Sequence, residues 1–113
     1  MSARVSLVSP DGPSVRTAAD VVELMYGDGA DEAQWIAVPV ARLDPAFFDL
    51  RSGVAGEVVQ TCANYRIGLA VVGDISGYTA TSAALAAFVT ESNRGGSVWF
   101  VADDDELQRR LRD

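Results

Sequence analysis

Histidine and lysine are absent from this chain, and cysteine occurs once. Without histidine there is no Ser-His-Asp or Cys-His triad within the chain and no His-ligated zinc. The usual general base near neutral pH is missing as well. An enzymatic role is therefore not expected, and neither a cofactor nor a metal is. Without lysine, positive charge rests on nine scattered arginines against 16 acidic side chains, for a net charge of −7. Nucleic-acid binding depends on cations that neutralise phosphates, so nucleic acid and anionic membrane surfaces are poor partners. Cys62 has no second thiol to pair with and belongs to no metal motif. At its place in a helical pattern it reads as a small buried apolar residue.

Long apolar runs are lacking too. The longest are "WIAVPVA" (35–41) and "IGLAVVG" (67–73), well short of the roughly 20 residues that a membrane helix needs. The opening "MSARVSLVSPDG" has no apolar stretch of signal-peptide length, so the expected location is cytoplasmic. What is present is the composition of an ordinary globular protein, 49% hydrophobic and 22% charged over 113 residues. A chain of that size makes one domain and buries about two thirds of its unfolded surface.

Apolar alternation in "ARVSLV" (3–8) predicts a strand. The turn signal "SPDG" (9–12) then predicts a hairpin in which "PSVR" (13–16) returns as a short second strand. "TAADVVELMYG" (17–27) predicts a helix capped by Thr17, with Asp20 three residues later, a core side of Val21, Leu24 and Met25, and a stop at Gly27 or Gly29. "DGADEA" (28–33) is a polar link. "QWIAVPV" (34–40) reads as a strand whose Pro39 marks an edge or a strand end.

A helix over 52–66 puts Val58 and Cys62 on a buried stripe. "IGLAVVG" is apolar enough for an interior strand. A helix over about 79–93 follows, with Leu85, Phe88 and Val89 inward, and "NRGG" (93–96) ends it. "SVWFV" (97–101) is the last strand. "DDDELQRRLRD" (103–113) is the last helix, acidic at its start and basic at its end as the helix dipole favours. The order predicts a single α/β domain over 1–113: a mixed, mostly parallel sheet with an N-terminal β-hairpin and about four helices.

Two loops carry the residues with chemistry. "DLRSG", containing Asp49, Arg51, Ser52 and Gly53, stands at the start of a helix, where free N–H groups and an arginine favour an anion or a partner. The same residues also suit a plain helix cap, with Ser52 at or within a residue of the cap. Phe47 and Phe48 beside it are expected in the core. "GDISGYTATS" (73–82) follows the interior strand, where α/β sheets tend to bind ligands, and Asp74, Ser76 and Tyr78 are the residues to line a crevice there. In "ESNRGG" (91–96), Glu91, Asn93 and Arg94 read as an ion pair or a turn. Asp44, Asp49 and Asp74 have no spacing that requires them to meet as catalytic carboxylates. P-loop, dinucleotide-binding and nucleophile-elbow motifs are all absent.

The stretches "FFDLRSGVAGEVVQTCANYRIGLAVVGDIS" (47–76) and "ESNRGGSVWFV" (91–101) resemble an uncharacterised bacterial family, domain of unknown function 4180 (DUF4180). The element order also resembles the STAS domain of anti-sigma-factor antagonists and sulfate-transporter tails. In that family a strand runs into a D-S-S-G segment at a helix start, whose second Ser is phosphorylated by a partner kinase. Ser52 and Gly53 match its Ser-Gly and Asp49 its Asp, with one residue inserted and Arg51 in place of the first Ser. The closing "VWFVADDDELQRRL" resembles the last strand and helix of STAS domains.

The expectation is a STAS-like, non-catalytic binding or regulatory module that meets a protein partner at Asp49–Gly53. The alternative is a small-ligand binder or enzyme using a crevice near Asp74–Tyr78. A homodimer through an edge strand or an aromatic face is also expected, with Trp35, Tyr65 and Trp99 as candidates.

Overall fold

A computed structural model describes residues 4–26 and 33–112. Its elements run β1 (Val5–Leu7), α1 (Ala18–Met25), β2 (Trp35–Pro39), α2 (Val54–Asn64), β3 (Gly68–Val72), α3 (Ser76–Thr79), α4 (Ala83–Arg94), β4 (Val98–Val101) and α5 (Asp104–Arg112). Three short 3-10 turns, Val40–Arg42, Pro45–Phe48 and Leu50–Ser52, carry the chain from β2 to α2.

The four strands form one sheet in the order β1-β2-β3-β4, and every pairing is parallel. Parallel strands joined by right-handed crossovers in sequential order place all their connecting helices on one face. The burial pattern agrees. Ile36, Val38, Leu69, Val71, Val98 and Phe100 point to a core shared with Val21 and Met25 of α1, Val58 and Cys62 of α2, and Leu85 of α4. The alternate residues Trp35, Ala37, Ala70 and Val101 form a second, smaller core that Leu107 and Leu111 of α5 close from the other side. "IGLAVVG" therefore supplies the interior strand β3, buried on both faces, as its unbroken apolarity predicts.

The second core depends on one missing side chain. The Trp35 indole lies across Gly68, where an added Cβ would run into the ring. From there it stacks on Trp99 with centroids 4.1 Å apart, and the Arg110 guanidinium covers Trp99 at 4.4 Å.

Local signals hold where hydrogen bonding is local. The Thr17 hydroxyl accepts from the Asp20 N–H and the Asp20 carboxylate from the Thr17 N–H, a full capping box. The bond that Asp20 receives from the Arg16 backbone, with those from Thr17, holds its carboxyl below the usual carboxylate range. Pro39 stands at a strand end. The predicted stop at Gly27 or Gly29 and most of the link 28–33 lie outside the described residues.

The N-terminal hairpin is not formed. Residues 13–16 do not return beside β1; Val15 instead makes a single parallel bridge to Leu43. The cause is a buried cation far along the chain. Arg42 donates to the backbone carbonyls of Ser9, Asp11 and Pro13 at 2.9–3.1 Å and draws the 9–13 segment onto the turn that follows β2. The described residues hold five α-helices: the four expected, and the single turn α3 in the stretch read as a loop before the 79–93 helix. Ser82 caps a fresh start by accepting from the Leu85 N–H, and α3 stands alone before it.

Candidate functional site

The chain leaves β2 through three turns, of which the second and third are each capped by an aspartate. Asp44 accepts from the Ala46 N–H at 2.9 Å and Asp49 from the Arg51 N–H at 3.1 Å. Ser52 joins the second turn to the helix: its hydroxyl donates to the Ala46 carbonyl at 2.6 Å and accepts from the Val54 N–H at 3.2 Å. Gly53 is the residue at the N-cap itself, in the left-handed region at φ +82°, which glycine enters without a Cβ penalty. Ser52 thus lies one residue before the cap, within the predicted span. Arg51 projects into solvent, its side chain 95% exposed and its Nε 3.6 Å from the Asp49 carboxylate. An exposed pair of this kind contributes little to stability.

Phe47 and Phe48 are both buried, as expected of core residues. Phe48 then reaches the second predicted loop: its ring stacks on Tyr78 at 4.2 Å. Asp49, Leu50 and Arg51 on one side, and Tyr78, Thr81, Ser82 and Ala84 on the other, bound a hollow of about 330 Å³. "DLRSG" and the α3–α4 corner are one surface. Separation along the chain hid this.

The crevice beyond β3 exists, with a different lining from the one predicted. Asp74 and Ser76 line a cleft of about 370 Å³ with Ile75 and Thr79, facing Phe100, Val101 and Ala102 across the carboxyl ends of β3 and β4. Asp74 accepts from the Ser76 N–H at 2.9 Å. That bond, with the Ser76 hydroxyl, holds the Asp74 carboxyl below the usual carboxylate range. Tyr78 is turned away and belongs to the first hollow. Thr79, Phe100 and Ala102 were missed; the strand-end rule that singled out Asp74 applies equally to the end of β4.

Asp44, Asp49 and Asp74 each take a backbone N–H of their own, and Asp44 also pairs with Arg16 at 3.3 Å. Among the described residues no group of three or more Cys, Asp or Glu is placed to hold a metal ion. The Cys62 thiol is buried, and desolvation pushes it up to about 11. Glu91 and Arg94 form the expected pair at 3.8 Å. Asn93 instead closes the outer edge of β4, accepting from the Phe100 N–H and donating to its carbonyl. Of the aromatic candidates, Trp35 is buried and Trp99 is half-buried between Trp35 and Arg110. Tyr65 is exposed, edge-on to Tyr26. No described helix is long and apolar enough to cross a membrane.

The architecture defines an α/β domain with a singly wound parallel sheet and both candidate surfaces at its carboxyl end. The family model for a domain of unknown function, DUF4180, matches residues 1–111, and the chain belongs to that family. Comparison with curated proteins and with solved structures found no match.

Proposed function

We propose that this protein is a non-catalytic binding or regulatory module of STAS-like type that recognises a protein partner through Asp49–Gly53. The observation that carries the reading is the joining of "DLRSG" to Tyr78 through Phe48, which makes a hollow rimmed by the exposed Arg51. Ser52 is where such a surface would be switched. Its hydroxyl hydrogen is committed to the Ala46 carbonyl. A phosphoryl group from a partner kinase's nucleotide would replace that hydrogen, set negative oxygens against a carbonyl and part the two turns. The proposal includes a cytoplasmic setting. It also includes self-association, for which the exposed Tyr65 and the exposed Leu7 on edge strand β1 are available.

The test is affinity capture from the native cell with the wild type, Ser52→Asp and Arg51→Glu, alongside their melting curves. A partner retained by the wild type and lost from both folded variants supports the reading. Identical recovery with all three overturns it.

A second reading, a small-ligand binder at Asp74 and Ser76, is favoured by a separate observation, the cleft between the ends of β3 and β4.

A further inference from the structure

We propose that the cleft at the carboxyl ends of β3 and β4 binds a small organic cation, an amine carried on an apolar or aromatic body. This rests on the second reading above and is independent of the first. It begins with topology. The connections leaving β1, β2 and β3 all pack on the face that holds Ile36, Val71 and Phe100, whereas the chain leaving β4 turns to the other face as α5. Only between β3 and β4 do the departing loops separate to opposite sides. Parallel α/β sheets open their ligand crevices at such a point. The volume of about 370 Å³ falls within the roughly 300–1,000 Å³ of small-molecule sites.

The lining fixes the class of ligand. Ile75, Val89 and Phe100 offer apolar surface, and Asp74 is the one ionisable side chain among the lining residues. Bonds from Ser76 hold that carboxyl below the usual carboxylate range, and a carboxylate has lone pairs to spare for a further donor. No arginine lines the cleft. Phosphates, nucleotides and carboxylic acids would meet like charge without a partner. An ammonium group would meet Asp74, with the Ser76 and Thr79 hydroxyl oxygens nearby as acceptors and its body against Phe100 and Val89.

The experiment is a titration of the 15N-labelled protein with three probes of one shape: 2-phenylethylamine, 2-phenylethanol and 3-phenylpropionate. The amine is expected to move the amide signals of 73–76 and 100–102 and to bind about threefold more tightly than the alcohol, the effect of one exposed charge pair. The acid is expected to leave those signals in place. Asp74→Asn keeps an acceptor for the Ser76 N–H, and should lower amine affinity to that of the alcohol while the rest of the spectrum is unchanged. Equal binding of amine and alcohol, or tighter binding of the acid, overturns the cationic class and leaves the cleft as a ligand site. Failure of all three probes to move signals at 73–76 and 100–102 overturns the cation proposal and the small-ligand reading together.

Discussion

The ring of Phe48 lies on that of Tyr78, centroids 4.2 Å apart and planes 10° from parallel, so the turn before α2 and the helix after β3 share one contact. Phe48 is buried and Tyr78 half-buried, which makes Tyr78 the lid of the pair. Replacing Tyr78 with Leu keeps apolar cover but removes the ring pairing, which is worth about 0.5–1.5 kcal/mol. Urea unfolding should register a loss of that size. Hydrogen exchange should also quicken at residues 50–53, which are far from Tyr78 in sequence. If exchange there is unaltered, the stack does not couple the two loops.

Arg42 is the buried cation among the described residues, and it ties three backbone carbonyls of the 9–13 segment to the turn after β2. Arg42→Met preserves much of the side-chain volume and removes the donor from the Ser9, Asp11 and Pro13 carbonyls, which lie on exposed residues where water can take part of its place. With water replacing part of the three bonds, the loss should be about 1–3 kcal/mol in chemical denaturation. The 9–13 segment should become the first site of limited proteolysis. A variant as stable as the wild type, with that segment still protected, would show that Val15 and the Leu43 bridge hold it alone.

These two contacts also mark how much the sequence reveals. Interior strand β3, the capping box at Thr17, the burial of Phe47 and Cys62 and the place of Ser52 all follow from periodicity or from spacing of a few residues. The false hairpin at 13–16 arose because turn chemistry in "SPDG" is read locally, while the partners that decide its path lie about thirty residues on at Arg42. The crevice was legible at Asp74 because a strand end is a sequence-level feature. Tyr78 was assigned to it wrongly, since which way a residue of a single helical turn faces depends on α4 and Phe48, not on its neighbours. Likewise the break at Ser82 looks like one more polar position in a helix until its hydroxyl is seen to accept from the Leu85 N–H.

Helix α2 ends with Arg66 in the left-handed region at φ +57°. Its N–H bonds to the Ala63 carbonyl and the Ile67 N–H to the Cys62 carbonyl, the pair of bonds that a glycine ordinarily supports. A non-glycine residue there carries a steric penalty of about 1 kcal/mol. Arg66→Gly should therefore stabilise the protein, offset in part by the greater freedom of glycine in the unfolded chain. A net gain of about 0.5 kcal/mol, seen as a rise of a few degrees in Tm, is expected. A fall in Tm would mean that the Arg66 side chain makes a compensating contribution at this exposed corner.

Ser52 separates the structural and regulatory readings of "DLRSG" because its hydroxyl has two jobs. As an acceptor it takes the Val54 N–H, and as a donor it reaches the Ala46 carbonyl at 2.6 Å. Ser52→Ala removes both and should cost about 0.5–2 kcal/mol, the range for losing a helix-start side chain. Ser52→Asp restores an acceptor but has no hydrogen to give at neutral pH, and sets a carboxylate toward the Ala46 oxygen. Its stability should be no better than that of the alanine variant. Thermal melts of the two variants test this: an aspartate variant as stable as the wild type would mean that the Ala46 bond is unimportant. Partner capture adds the functional half. If Ser52 only braces the turns, both variants should lose partner binding in proportion to their instability. If added charge at this position is itself the signal, the aspartate variant alone should release the partner at a temperature where both remain folded.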